Sequence, residues 1–140
     1  MRAVIAGEGE ERARLDALIA ARGLVSRVQL IGRIDDAALL EHLARCRAVC
    51  FPPVQEDYGF VTVEAFASHK AVVTCRDSGG PAELVTDGAH GFVCDPTPVA
   101  VAVALRQLMD DRGLAERMGA NAFEAGAQLN WPDAVRRLTA

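Results

Sequence analysis

The distribution of apolar and polar positions divides the chain into short apolar runs separated by amphipathic stretches. Five runs lack the strict two-residue alternation of a half-exposed strand and are rich in Val, Ile, Ala and Cys. They predict strands at residues 2–6, 28–31, 48–51, 71–75 and 91–94. Strands that are apolar on both sides and alternate with helices are typical of a parallel sheet with both faces covered. The pattern therefore predicts a doubly wound, mainly parallel α/β fold in three layers.

Apolar residues recur at helical spacing between these runs. We predict helices at residues 10–22 and 37–45, the second capped by Asp35 or Asp36, and further helices from about Val99 and Gly113. A final amphipathic helix is predicted at residues 132–138. In the second helix the residues predicted to be buried are Leu39, Leu40 and Leu43.

Residues 48–84 contain two successive units of strand, glycine-containing turn and helix. The first turn carries Glu56, Asp57 and Gly59, and the second is Ser78-Gly79-Gly80-Pro81. Because neighbouring parallel strands end at one edge of a sheet, two helix N-termini are expected side by side there. Their unpaired N–H groups favour an anion, and the glycines allow it to approach the backbone closely. We therefore expect a phosphate at this edge.

The motifs around these turns resemble a known family. Glu56 and Glu64 are separated as E-x7-E in EDYGFVTVE, and AFASHKAVVT and SGGPAELVTDGAHGFVCDP follow in order. This series resembles the donor-binding, C-terminal half of retaining glycosyltransferases of the GT-B fold, the group-1 or GT4 family. The resemblance extends from about Ala3 to Leu138. It implies a Rossmann-like half of a GT-B fold that binds a nucleoside-diphosphate sugar.

The resemblance assigns a role to each acidic residue of the E-x7-E motif. Glu64 is expected to bind the ribose hydroxyls, and Glu56 to lie beside the donor sugar and stabilise positive charge at the anomeric carbon. From the residues alone, the alternative for Glu64 is a solvent-facing helix residue. Glu56 and Asp57 are also explained as loop acids near a helix N-terminus.

Further contacts to the donor are implied by the same resemblance. The backbone amides of Tyr58, Gly59, Phe60 and Val61 are expected to face the distal phosphate. The second turn, Gly79 and Gly80, is expected to act similarly. In the resembled family the loop after this strand contacts the nucleobase, which makes Arg33 and Ile34 candidate nucleobase contacts. A solvated Arg beside a core Ile is the alternative. Phe60 and Val61 are likewise consistent with ordinary core positions.

The chemistry implied is glycosyl transfer from a nucleoside-diphosphate sugar. Charge develops on the leaving diphosphate, and preorganised amides and helix N-termini stabilise it, so no metal or other cofactor is expected. Retention of configuration is implied by the resemblance only.

The chain departs from the family pattern in three respects. His69 and Ala71 replace the usual Gly and Pro. An additional strand, and a Gly-Arg…Lys segment that clamps the diphosphate, would precede the first residue, as would the acceptor domain. We therefore interpret residues 1–140 as a donor domain truncated at its N-terminus and inactive alone. Without the additional strand, residues 2–6 and 48–51 are predicted to pair directly in the order 2-1-3-4-5, the alternative being a partner's strand between them.

Composition narrows the remaining possibilities. A net charge of −4 and few aromatic residues argue against nucleic acid as a partner. The four cysteines lack C-x-x-C spacing and are interpreted as reduced core thiols, in keeping with a cytoplasmic location; a zinc site at His42, Cys46 and Cys50 is disfavoured. GEGEER lacks the third small residue of a dinucleotide fingerprint, because Arg12 stands there. No apolar run spans a bilayer, so membrane contact is at most peripheral.

Two other function classes are consistent with these residues. One is a non-catalytic nucleotide-binding module that pairs with another chain, and the other is a nucleotide-sugar epimerase-like enzyme. The expected partners are the nucleotide sugar and either the acceptor domain or a second copy of the chain. The acceptor domain or the second copy is expected because the final helix after Trp131 needs a surface for its apolar side.

Overall fold

The computed structural model describes residues 1–129 and Arg136, and these form two compact units, Met1–His42 and Leu43–Ala140. All strand pairs are parallel and helices separate the strands, as the apolar pattern predicts. The predicted helix at residues 132–138 lies outside the described residues.

The first unit is built on a two-stranded parallel sheet. Strand β1 (Ala3–Ala6) pairs with β2 (Val28–Gly32), and α1 (Arg12–Ala21) connects them. Helix α2 (Asp36–Arg45) begins in this unit and ends beyond its last residue, His42; its N-terminus is capped by Asp35, whose Oδ1 accepts the Ala38 N–H at 2.8 Å. Within residues 1–42 the only buried residue is Gly32. This unit therefore has little core of its own.

The second unit contains a three-stranded parallel sheet in the order β3-β4-β5. Its strands are β3 (Ala48–Cys50), β4 (Ala71–Cys75) and β5 (Gly91–Cys94). Its helices are α3 (Phe60–Ala67), α4 (Gly80–Leu84), α5 (Pro98–Asp110) and α6 (Arg112–Ala127). Every residue of the central strand β4 is buried, which explains its largely apolar sequence, with Thr74 as its one polar residue.

The core of the second unit lies on both faces of β4, because successive side chains of a strand point to opposite faces. Val73 packs in a cluster with Leu108 of α5 and Met118 of α6. Val72 packs in another cluster with Phe66 of α3 and Ala122 of α6. Burying a side chain such as Leu108 or Phe66 contributes about 1.5–3 kcal/mol. The result is a helix, sheet, helix arrangement that fixes where the strands end.

Two sequence-based predictions about packing are wrong. Residues 2–6 and 48–51 do not pair directly: β1 bonds to β2, and β3 bonds to β4, in separate sheets. Strand neighbours depend on contacts between distant segments, and neither apolar run encodes its partner. Leu40 was expected in the core but is 62% exposed, whereas Leu43 on the same helix is buried. Apolar spacing identifies the helix but does not determine which of its leucines is covered.

Candidate functional site

The loop after β3 and the turn after β4 are hydrogen-bonded through their backbones. The Gln55 N–H donates to Asp77 O at 3.0 Å, and the Glu56 N–H donates to Ser78 O at 3.0 Å. The Gly80 N–H in turn donates to Glu56 O at 2.8 Å, so that Glu56 and Gly79 form a parallel bridge. The pairing of β3 with β4 therefore resumes beyond their carboxyl ends. The predicted proximity of Glu56 to the second glycine turn is confirmed.

Ser78 fastens the same two segments with its side chain. Its buried hydroxyl donates to Pro53 O at 2.8 Å and accepts the Cys75 N–H at 3.2 Å. Ser78 is not among the site residues predicted from the sequence. A serine directly before two glycines at a strand end was the available signal, because such a hydroxyl readily bonds nearby backbone groups.

The glycines of these turns are needed first for packing of the protein itself. A Cβ on Gly80 would lie 2.6 Å from Tyr58 O, and a Cβ on Gly79 would lie 2.5 Å from Glu56 O. At Gly59 it would meet Pro81 Cγ at 2.5 Å. Gly59 and Gly79 also have positive φ angles, of 81° and 70°. The space next to these glycines, where a Cβ would point, is therefore filled by atoms of the protein and not left open for an anion.

The two helix N-termini differ in the N–H groups they leave open. At α3, none of the described residues accepts a hydrogen bond from the N–H groups of Gly59, Phe60 and Val61, and no side chain caps the helix. At α4, the Gly80 N–H is already bonded to Glu56 O, and Pro81 has no N–H. The first helix therefore offers three donors to an anion, while the second turn offers the Gly79 N–H.

The two carboxylates of the E-x7-E motif have different surroundings. Glu56 is half-buried in the loop, and Glu64 is exposed as the fifth residue of α3. Neither forms an ion pair with any residue in the described part of the chain. Both carboxylates are therefore available to a ligand. Asp57 is exposed in the same loop.

An aromatic pair stands at the start of α3. The rings of Tyr58 and Phe60 are 5.1 Å apart and inclined at 55°, and the two residues are 44% and 71% exposed. Glu64 follows Phe60 by one helical turn on the exposed side, opposite the buried Ala65 and Phe66. Phe60 is therefore not the core residue that the alternative interpretation required. Val61 is half-buried.

Arg33 and Ile34 lie in the first unit, directly after β2. Arg33 is exposed and Ile34 is half-buried, so Ile34 is not the fully buried core residue of the alternative interpretation. Their contact with a nucleobase stays a prediction.

The described residues contain neither a cluster of metal ligands nor a helix that could span a membrane. No group of three or more His, Cys, Asp or Glu side chains there is arranged to hold a metal ion. The four cysteines are free thiols. Across residues 1–129, every helix is too short or too polar to traverse a bilayer.

Sequence comparison finds relatives over most of the chain. Residues 1–125 match the family model described as "Glycosyl transferases group 1". The chain is 36% identical over 121 residues to an alpha-D-kanosaminyltransferase of Streptomyces kanamyceticus, covering 85% of this chain and 31% of the relative. It is 33% identical over 117 residues to a D-inositol 3-phosphate glycosyltransferase of Corynebacterium diphtheriae, covering 83% and 27%. The chain thus spans less than a third of these relatives.

Structural comparison gives the same architecture. Sucrose-phosphate synthase from Thermosynechococcus elongatus superposes with a TM-score of 0.85 at 25% identity, over 97% of this chain and 36% of that one. HepE of Anabaena, solved in complex with UDP, superposes with a TM-score of 0.83 at 26% identity, over 99% and 39%. The same HepE in complex with UDP-glucose superposes with a TM-score of 0.79 at 27% identity, over 98% and 39%.

Proposed function

Because this chain belongs to the group 1 glycosyl transferase family, we propose that it is the donor-binding, C-terminal part of a retaining glycosyltransferase. Its ligand is a nucleoside-diphosphate sugar. The observation that carries this proposal is the set of three unpaired N–H groups at the start of α3, in the segment that follows the half-buried residue Glu56.

The start of α3 is the proposed diphosphate site. The N–H groups of Gly59, Phe60 and Val61 point out of the first turn of a helix, where the helix dipole also favours negative charge. The loop that leads into this turn is bonded to the Gly79–Gly80 turn, so the donors are held in place before a ligand arrives. Preorganised donors stabilise charge on a leaving diphosphate without reorganisation during the reaction.

The two glutamates have separate proposed roles. Glu64 accepts hydrogen bonds from the two ribose hydroxyls, which suits an exposed carboxylate one turn along α3 from the phosphate donors. Glu56 lies in the loop itself and faces the sugar, where a carboxylate stabilises positive charge that develops at the anomeric carbon. Nothing in this arrangement requires a metal ion, because backbone amides supply the electrostatic stabilisation.

The other parts of the proposal concern the whole protein. HepE of Anabaena was solved with UDP and with UDP-glucose, so uridine diphosphate is the first ligand to test. Arg33 and Ile34 are proposed nucleobase contacts. Acceptor binding is assigned to another segment of the whole protein or to a second chain, and turnover by residues 1–140 alone is not expected.

Calorimetric titration with UDP, GDP and ADP tests the binding proposal. We expect one of the three diphosphates to bind, and chelation of divalent metals with EDTA to leave its affinity unchanged. Glu64→Gln should weaken that affinity by about tenfold, because hydrogen bonds to a charged group contribute about 1.5–3 kcal/mol. Glu56→Gln should leave the nucleotide affinity within about twofold, because its proposed role concerns the sugar.

Glu124→Gln is the matched control, since Glu124 is an exposed glutamate on another helix, α6. Its affinity should equal that of the unaltered chain. Absence of binding by all three nucleotides contradicts the proposal. Binding without transfer to any acceptor in the whole protein would instead favour the non-catalytic module, and interconversion of sugar epimers would favour the epimerase-like alternative.

A further inference from the structure

A cavity in the unit Leu43–Ala140 lies at the amino ends of β3 and β4. The proposed donor site lies beyond the carboxyl ends of the same strands. The cavity has a volume of about 360 Å³, within the range of small-molecule sites. It is formed by the segment 44–47 before β3, by His69 and Lys70 before β4, and by the first turns of α6. Because Ala48 is paired with Ala71 in the parallel register, the amino ends of β3 and β4 adjoin here.

The charge of this cavity is opposite to that of the chain. Four of its nine lining residues are cationic, Arg45, Arg47, Lys70 and Arg112, and Glu116 is its one carboxylate. The whole chain carries a net charge of −4. Positive charge is therefore concentrated at this edge of an otherwise acidic protein.

Glu116 is paired with one of these cations, Arg112. Its Oε1 accepts a hydrogen bond from Arg112 Nε at 2.6 Å, and the pKa of Glu116 is lowered, first by Arg112 and to a lesser degree by Arg47 and Lys70. Asp111, which precedes Arg112, is not among the residues that line the cavity, and its Oδ1 accepts the Leu114 N–H at 2.8 Å as the N-cap of α6.

Two of the cations are held in position by neutral groups. Arg47 Nη1 donates to Met109 O at 3.3 Å, and Lys70 Nζ donates to Ala44 O at 3.3 Å. No carboxylate of a described residue lies within 4 Å of either cation. Backbone carbonyls orient these two side chains, and Glu116 acts on their charges only from beyond the distance of an ion pair, so the remaining donors are available to an anion.

We infer that the cavity lined by Arg47, Lys70 and Arg112 is a binding site for a phosphate-bearing anion, separate from the donor site. Guanidinium groups match phosphate oxygens with paired N–H donors, and the ammonium group of a lysine adds a compact charge. The phosphate belongs either to a free small molecule or to a lipid headgroup, and the chemistry of recognition is the same for both.

Cys46 provides a direct measurement, because it is half-buried in the wall of this cavity. The rate of its alkylation by iodoacetamide is measured by peptide mass spectrometry, with the partly buried Cys94 as internal reference. Its pKa is raised by burial and lowered in part by Lys70. A bound anion shields the thiol and offsets the effect of Lys70, and both changes slow alkylation.

The titrations use orthophosphate, pyrophosphate, neutral phosphatidylcholine vesicles and vesicles that also contain phosphatidylglycerol, at constant ionic strength. We expect saturating pyrophosphate to slow Cys46 alkylation at least threefold relative to Cys94. Slowing by the free anions supports a soluble ligand, and slowing by anionic vesicles alone supports a lipid headgroup. Absence of slowing by all of them overturns the inference.

Substitutions show whether the cations cause the effect. Lys70→Gln and Arg47→Gln should each raise the concentration needed for half-protection at least fivefold, while the charge-conserving Lys70→Arg should restore protection. Arg106→Gln, an exposed arginine of α5, is the matched control and should have no effect. Protection that survives both Lys70→Gln and Arg47→Gln would also overturn the inference.

Discussion

At the scale of single residues, His69 has an unusual backbone conformation. His69, at a position where the resemblance implied Gly, adopts a φ of 56°. The left-handed conformation costs a non-glycine residue about 1–2 kcal/mol. The imidazole stacks on Phe123 of α6 with a centroid distance of 3.8 Å, which offsets part of that cost. The left-handed conformation of His69 therefore coincides with an aromatic contact to α6.

The close packing around Gly80 leaves no room for a side chain at this position. Gly80→Ala should lower the free energy of unfolding by about 1–3 kcal/mol, because its Cβ would overlap the carbonyls of Tyr58 and Asp57. It should also weaken nucleotide binding, since those residues lead into the first turn of α3. Urea denaturation and calorimetry measure the two effects.

Gly9→Ala is the control for that substitution. A Cβ there has no neighbour within 4 Å and the φ angle is not positive, so stability should change little. Equal stability of the two variants would contradict the packing of the two turns described above.

At the scale of elements, local signals predicted most helices and strands to within a few residues. The strands at 71–75 and 91–94 coincide with the predictions, and Asp35 caps α2 as expected. These signals are local because a strand fully buried on both faces is continuously apolar and a cap needs an oxygen at one position. The hydrogen bonds between the two glycine turns were not readable, because they join residues more than twenty positions apart.

The N-cap of α6 is expected to contribute measurably to the stability of the protein. Asp111→Ala should lower the free energy of unfolding by about 1 kcal/mol, because its carboxylate accepts the Leu114 N–H at 2.8 Å. Asp111→Asn should retain most of that stability, and Asp110→Ala, which removes the adjacent exposed carboxylate, should have little effect. Chemical denaturation of the three variants gives the comparison.

At the scale of the whole molecule, burial is distributed unevenly between the two units. Every residue of β4 is buried, whereas Gly32 is the one buried residue among residues 1–42. Local opening is governed by how many buried contacts must be broken. The first unit should therefore open at lower free energy than the sheet of the second.

Native-state hydrogen exchange measures this difference. Amides bonded between β1 and β2 should exchange at least about tenfold faster than those of Val73 and Thr74 in β4. Equal protection of both sheets would contradict the prediction. The measurement concerns each sheet separately and needs no ligand.

The sequence by itself determined the α/β class, the parallel strands, most helix limits and the glycine turns that carry Glu56 and Gly79, because these depend on local periodicity and turn chemistry. Only the tertiary structure decided which strands pair, and that Arg47, Lys70 and Arg112 line one cavity. It also decided that the Gly80 N–H is bonded within the protein, whereas the three N–H groups at the start of α3 are not. These features join segments far apart in the chain, and no local pattern contains the distance between them.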